Sequence, residues 1–291
     1  MKKRRTLASP WSLSGIGLHS GEPVNMRLRP APAGSGIVFV RTDLASRRIP
    51  ALIENAGPSF YATVLRKDGA SVSTIEHLMA ALYAMQVDDV DVLLDAGEVP
   101  ILDGSSKPFV EGILAAGFQS HDVDRQYIHV VKPLTVTHEE KRISVHPCPE
   151  YRVTYAIEFD HPALGYQELT ASLWRQDQFV EKIAPARTFT FEHEVKALRD
   201  KGLALGGSLD NAVVLGETGV LNPPLRFPDE FVRHKMLDLT GDLSLLGRPL
   251  RGHVVAYRAG HDLHGKLARA IEDAKAAWYL APWTESAAEP A

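Results

Sequence analysis

The 291-residue chain has a single cysteine, Cys148, which excludes an intrachain disulfide and points to a reducing compartment. Cys148 lies between two prolines with nothing nearby to activate it, so it is read as structural. No stretch approaches the roughly 18 apolar residues that a membrane span requires. The start, "MKKRRTLASPWSLSGIG", carries the charge of a signal peptide, but Ser9, Pro10, Ser12, Ser14 and Gly15 break the apolar core that should follow. A soluble, cytoplasmic protein is the expectation. A basic excess is missing as well: the formal charge is −4, which gives no reason to expect nucleic acid as a partner. The basic terminus reads either as a flexible arm or as a peripheral contact for anionic lipid, at roughly 1 kcal/mol per charge. The tail "TESAAEPA" is too polar and small to pack, and is expected to fray.

What is present is an ordinary globular composition, 45% hydrophobic and 23% charged, with length enough for two modest domains. "PVNMRLRP" alternates Val24, Met26 and Leu28, and "YRVTYAIEF" places Val153, Tyr155, Ile157 and Phe159 on one face; both predict strands. "STIEHLMAALYAMQ" has Ile75, Leu78, Met79, Leu82 and Met85 at helical spacing. A second helix follows "LDGS", with Ser106 and Pro108 near its start and Gly117 at its end. Further helical patterns cover about 176–184, 192–201, 229–246 and 264–279, and the strand "GHVVAYR" separates the last two. The polar stretch 119–126 is the best candidate linker, which divides the chain into domains 1–125 and 126–291. Strands, then helices, then a returning strand in each half predict an α+β fold.

Two short stretches can carry chemistry. In "FVRHKMLDLTGD" a helix puts His234, Asp238 and Asp242 on one face. Alone, that face is explained as well by a His–Asp pair worth about 0.3–0.5 kcal/mol. In "STIEHL", Ser73-x-x-Glu76 matches a capping box, which gives Glu76 an ordinary role. Together the two stretches are more informative. His77, His234 and Asp238 form a sufficient three-point site for catalytic zinc, and Glu76 beside the first ligand is a carboxylate free to act as base. Amide hydrolysis also needs an oxyanion donor and an acid, for which Thr188 in "ARTFTF" and His261 or His264 in "AGHDLHG" are candidates. His19 in "GLHSG" fits a turn as well as a site, and "LGGS" (205–208) reads as a turn, since the lysine of a phosphate loop is absent.

Eight stretches in order resemble the UDP-3-O-acyl-N-acetylglucosamine deacetylases of bacterial lipid A synthesis. They are "GIGLHSG" (15–21), "LRPAPAGSGIVFVRTD" (28–43), "STIEHLMAAL" (73–82), "PILDGSSKPFV" (100–110), "ARTFTF" (186–191), "GLALGGSLDNAVV" (202–214), "FVRHKMLDLTGDL" (231–243) and "GHDL" (260–263). The resemblance implies two domains of related β-α-α-β topology, with helices sandwiched between sheets. It implies zinc on His77, His234 and Asp238, with iron or cobalt as possible substitutes, and Glu76 as general base. It further implies His261 as general acid oriented by Asp242, Thr188 as oxyanion donor, and Lys235 as added positive charge. The substrate implied is a 3-O-acylated UDP-N-acetylglucosamine that loses acetate, the committed step of lipid A synthesis, on a monomeric enzyme. An insert at about 190–217 would shape a passage for the acyl chain, with Val195, Leu198, Leu203, Leu205, Ala212 and Val214 as candidate lining or as ordinary core. Where the family often has Asn, this chain has His264, so two imidazoles compete for the acid's role. The competing functions are a zinc amidohydrolase on another N-acyl substrate and a non-catalytic binder of lipid or nucleotide sugar.

Overall fold

A computed structural model of the protein describes residues 1–58 and 61–283. The tail expected to fray, residues 284–291, lies outside the described residues. The first half comprises β1 (Lys3–Leu7), β2 (Trp11–Ile16), β3 (Pro23–Pro30), β4 (Ile37–Arg41), β5 (Arg47–Pro50), β6 (Leu65–Lys67), β7 (Ala70–Val72), α1 (Glu76–Ala84), β8 (Val90–Leu94), α2 (Lys107–Ala116) and β9 (Phe118–Asp124). The second comprises β10 (Gln126–Val130), β11 (Leu134–His138), β12 (Lys141–His146), β13 (Tyr151–Glu158), β14 (Tyr166–Ser172), α3 (Gln176–Lys182), β15 (Phe189–Phe191), α4 (Glu192–Asp200), β16 (Val213–Leu215), α5 (Glu230–Leu243), β17 (Leu250–Tyr257), α6 (His261–Asp273) and β18 (Trp278–Pro282).

A structural repeat underlies this order, although no repeat is visible in the sequence. One sheet runs β2-β3-β8-β4-β5; in the other, β11-β12-β17-β13-β14 reproduces the same order, with β10 added beside one end of β17 and β18 beside β10. In both, the returning strand is parallel to one neighbour, β8 to β4 and β17 to β13, and antiparallel to the other. A helix precedes each returning strand and another follows it: α1 and α2 in the first unit, α5 and α6 in the second. The fold is α+β, as the strand-then-helix pattern predicts.

The sheets bury one face. Val24, Met26 and Leu28 of β3 are buried with exposed polar residues between them, and Val153, Tyr155 and Ile157 of β13 are buried, with half-buried Thr154 and buried Ala156 between them. Between the sheets, α1 and α5 are buried nearly all round, so their polar residues must find partners inside the protein. α2 opens at Ser106 with Pro108 in its first turn and ends at Gly117, whose φ of 69° suits glycine.

Two expectations fail for physical reasons. The polar stretch 119–126 is no linker, because most of it is β9, paired antiparallel with β1. That two-stranded ribbon leaves polar side chains on both faces, so it lacks the alternation of a half-buried strand. Nor is the basic start a free arm. Lys3 pairs with Asp122 at 2.9 Å, Arg4 with Asp89 at 2.6 Å, and Arg5 donates to the carbonyl oxygens of Met85 and Gln86 behind α1. The last long helix also begins earlier than predicted, at His261, and ends at Asp273 before a short 3-10 turn over Lys275–Ala277.

Candidate metal centre

His77 and His234 come from different units of the repeat, one near the start of α1 and the other in α5. Their rings meet edge to face, with centroids 4.9 Å apart. Asp238, one turn after His234, lies between them: its Oδ1 is 3.3 Å from Nε2 of His234 and 3.6 Å from Nε2 of His77. All three residues are buried, and one ligand atom from each lies within 4.8 Å of the others. His234 keeps Nε2 turned to this cluster because Nδ1 donates to the carbonyl oxygen of Ala186 at 3.0 Å. Asp238 Oδ1 has no hydrogen-bond partner among the described residues, while Oδ2 accepts from Lys235 Nζ at 2.9 Å.

An orphaned buried carboxylate oxygen facing two imidazole nitrogens is a set of donors that fits a divalent ion. The electrostatics agree. Burial holds His234 down to about 3, so the ring is neutral and its lone pair is available. Burial would raise Asp238, but His234, Lys235 and His261 outweigh it and hold the carboxylate well below its usual range. A neutral His234 and an ionised Asp238 are protonation states that a metal site needs.

Beside this cluster stand Glu76 and His261, with Nε2 of His261 4.0 Å from Glu76 Oε1 and 3.9 Å from Asp238 Oδ2. Glu76 is pushed upward by burial, partly opposed by His261 and His77. The capping-box reading of Glu76 does not hold: Ile75 is the cap without a side-chain bond, Ser73 donates to Gly97 O, and Glu76 Oε2 accepts from the Thr63 N–H at 3.0 Å. His261 loses from burial but gains more from Asp242 and Asp238, which raise it to about 9. Its Nδ1 donates to Asp242 Oδ2 at 2.8 Å. Burial would raise Asp242 too, yet His261 and its neighbour His264 draw it down to about 2.

The remaining predicted residues fall around this centre. Thr188 lines an adjoining cavity of about 740 Å³, and its hydroxyl makes no hydrogen bond among the described residues. Lys235 holds Asp238 and lies 5.4 Å over the ring of Phe189. His264 is fully buried and bonded through both ring nitrogens, so it does not face the metal cluster. His19 is on the cavity wall, its Nε2 buried and unpartnered among the described residues. Of the candidate passage residues, Val195, Leu198, Ala212 and Val214 line the cavity; Leu203 does not, and Leu205 is exposed at the surface against Gly21. The turn at 205–208 is as expected.

Sequence reasoning missed Thr63, which touches three groups of the site. Its N–H holds Glu76, its hydroxyl donates to Asp242 Oδ1, and the same oxygen is 3.3 Å from His261 Nδ1. It also missed Tyr155 as anything but core, and the buried pair of Arg187 and Glu230 that braces the segment holding His234. No local signal marks them, since their partners lie 13 to 198 residues away in the chain.

Two joined α+β units with a buried His2Asp cluster, a flanking carboxylate and an Asp-held imidazole define a metal-dependent hydrolase. The family model described as LpxC, UDP-3-O-acyl N-acetylglycosamine deacetylase, matches residues 4–273. Curated proteins named UDP-3-O-acyl-N-acetylglucosamine deacetylase are similar over nearly their whole lengths. That of Syntrophotalea carbinolica is 49% identical, covering 97% of this chain and 92% of the relative. That of Myxococcus xanthus is 46% identical (96% and 89%), and that of Hahella chejuensis 42% identical (100% and 97%). The chain belongs to the UDP-3-O-acyl-N-acetylglucosamine deacetylase family, enzymes that hydrolyse an N-acetyl amide.

Proposed function

We propose that the protein removes acetate from the 2-N-acetyl group of UDP-3-O-acyl-N-acetylglucosamine, the committed step of lipid A synthesis, with zinc held by His77, His234 and Asp238. The observation that carries this reading is Asp238 Oδ1, without a hydrogen-bond partner among the described residues, facing the Nε2 atoms of His77 and His234 beside Glu76 and His261. When bound, the ion supplies Lewis acidity toward the attacking water and the scissile carbonyl; iron or cobalt suits the same donors.

Glu76 takes the proton of the water that attacks the amide carbon. Its upward shift makes it a stronger base than an exposed carboxylate, and the Thr63 N–H fixes its direction. Thr188, its hydroxyl uncommitted among the described residues, donates to the oxygen that becomes negative, and Lys235 adds positive charge from its place on Asp238. His261 keeps Nδ1–H on Asp242 and so presents Nε2 toward the centre. From that atom it protonates the departing sugar nitrogen, leaving acetate and a free amine. His264 cannot take the acid's place, because both of its nitrogens are bonded within the core.

The cavity beside Thr188 takes the 3-O-acyl chain, with Val195, Leu198, Ala212 and Val214 on its walls. No helix is long and apolar enough to cross a membrane among the described residues. We place the enzyme in the cytoplasm as a monomer, with domains meeting at Arg125. The test is acetate release from the acylated UDP sugar beside simple N-acetyl sugars. Preference for the former supports the assignment, and equal turnover of both would assign a general amidohydrolase instead.

A further inference from the structure

His264 is a residue that the proposed reaction does not use, yet it shares an oxygen with the residue that orients the acid. Asp242 Oδ2 lies 2.8 Å from Nδ1 of His261 and 2.8 Å from Nδ1 of His264. The carboxylate is held ionised, so it can only accept, and both imidazoles must carry their proton on Nδ1. Thr63 donates to the other oxygen. Three donors, two from α6 and one from the loop before β6, therefore fix the plane of one carboxylate. On its far side, Nε2 of His264 is 2.9 Å from the Tyr155 hydroxyl, which is also 2.8 Å from the carbonyl oxygen of Ala259. The phenol has one proton for those two acceptors, and in either arrangement His264 still donates to Asp242. Ala259 precedes His261 by two residues, so the chain of contacts closes on itself: His261, Asp242, His264, Tyr155, Ala259.

We propose that His264, steadied by Tyr155, is a positioning residue that fixes the Asp242 carboxylate and through it aims Nε2 of His261. The proposal rests on the reading of His261 as the acid. His264 touches no reacting atom. Its plainer role, a satisfied core histidine tying α6 to β13, predicts that any replacement that folds will work equally well. Positioning predicts a dependence on which nitrogen survives.

Asn carries its amide nitrogen where His has Nδ1, and Gln carries one where His has Nε2. His264→Asn therefore keeps the donor to Asp242, and His264→Gln keeps the Tyr155 contact and loses the one that matters. Measured on the metal-loaded enzyme, His264→Asn should hold kcat within about threefold, and His264→Gln should lose on the order of tenfold to a hundredfold in kcat at unchanged KM and metal content. Proton NMR of the 15N-histidine-labelled protein should show two low-field Nδ1–H resonances, from His261 and His264, with the His261 signal displaced in His264→Gln. Equal kcat for the two variants, or a single low-field resonance in the wild type, would overturn the proposal. His261→Gln separates the two levels. If it keeps full turnover, the assignment of the acid falls. If it is inactive while His264→Gln matches His264→Asn, only the positioning role falls.

Discussion

A Cβ added to Gly241 would lie 2.1 Å from the carbonyl oxygen of Glu76, so α5 can approach α1 this closely only through a residue without a side chain. That contact brings His234, Asp238 and Asp242 up to Glu76 and His77. In an ordinary buried helix interior, Gly→Ala gains up to about 1 kcal/mol of helix propensity. Here the clash is with backbone, which cannot rotate away, and overpacking costs roughly 1–3 kcal/mol or more. Gly241→Ala should therefore lower the denaturant midpoint and weaken metal retention together; a stabilised variant with full metal would show that the helices do not need this contact.

Glu230 is fully buried and accepts from the Arg187 guanidinium at 2.9 Å and from the backbone N–H groups of Arg187 and Arg226. Arg187 follows Ala186, whose carbonyl oxygen orients His234. Glu230→Ala strands a buried cation and should cost about 3–5 kcal/mol by chemical denaturation. A loss below about 1 kcal/mol would mark the pair as water-exposed in solution.

The pH dependence follows from His261. Its folded value is raised from 6.5 to about 9, so the protonated, donating form persists at neutral pH and is lost as pH rises through that region. A bound divalent ion beside it pulls the other way, so the descending limb of kcat/KM should fall between 6.5 and about 9. Asp242→Asn removes the largest raising influence and should move that limb to lower pH, with a lower rate. An unmoved limb in that variant would remove His261 from the acid's role.

The legibility of the chain divides along chemical lines. His77, His234 and Asp238, which the fold brings together, could be picked out as one candidate cluster because few residue types bind a metal and the helical spacing of the last two is local. Thr63 and Tyr155 could not. Their types are common, and their roles exist only through partners far along the chain, across the two units for Thr63 and within the second for Tyr155. Ser73-x-x-Glu76 shows the opposite failure, in which a local motif was complete but the buried surroundings gave Glu76 a different partner. The repeated sheet order was hidden because exposed strand positions differ freely between the units and only the buried alternation recurs. Ribbon β1/β9 lacked even that alternation.

Substrate length is tested at Ala212, a small residue on the cavity wall. Ala212→Trp should lower kcat/KM for long-chain acyl substrates on the order of tenfold or more and spare short-chain ones. Equal loss for both would mean that the chain does not enter there.

Metal dependence is the claim on which the rest stands. The direct measurement is metal content together with acetate release from the acylated UDP sugar, on protein purified without added metal, stripped with chelator, and carrying His77→Ala. The account predicts about one divalent ion per chain in the untreated protein, loss of activity on stripping with recovery on zinc addition, and neither metal nor activity in the variant. Full acetate release from a metal-free sample would contradict it.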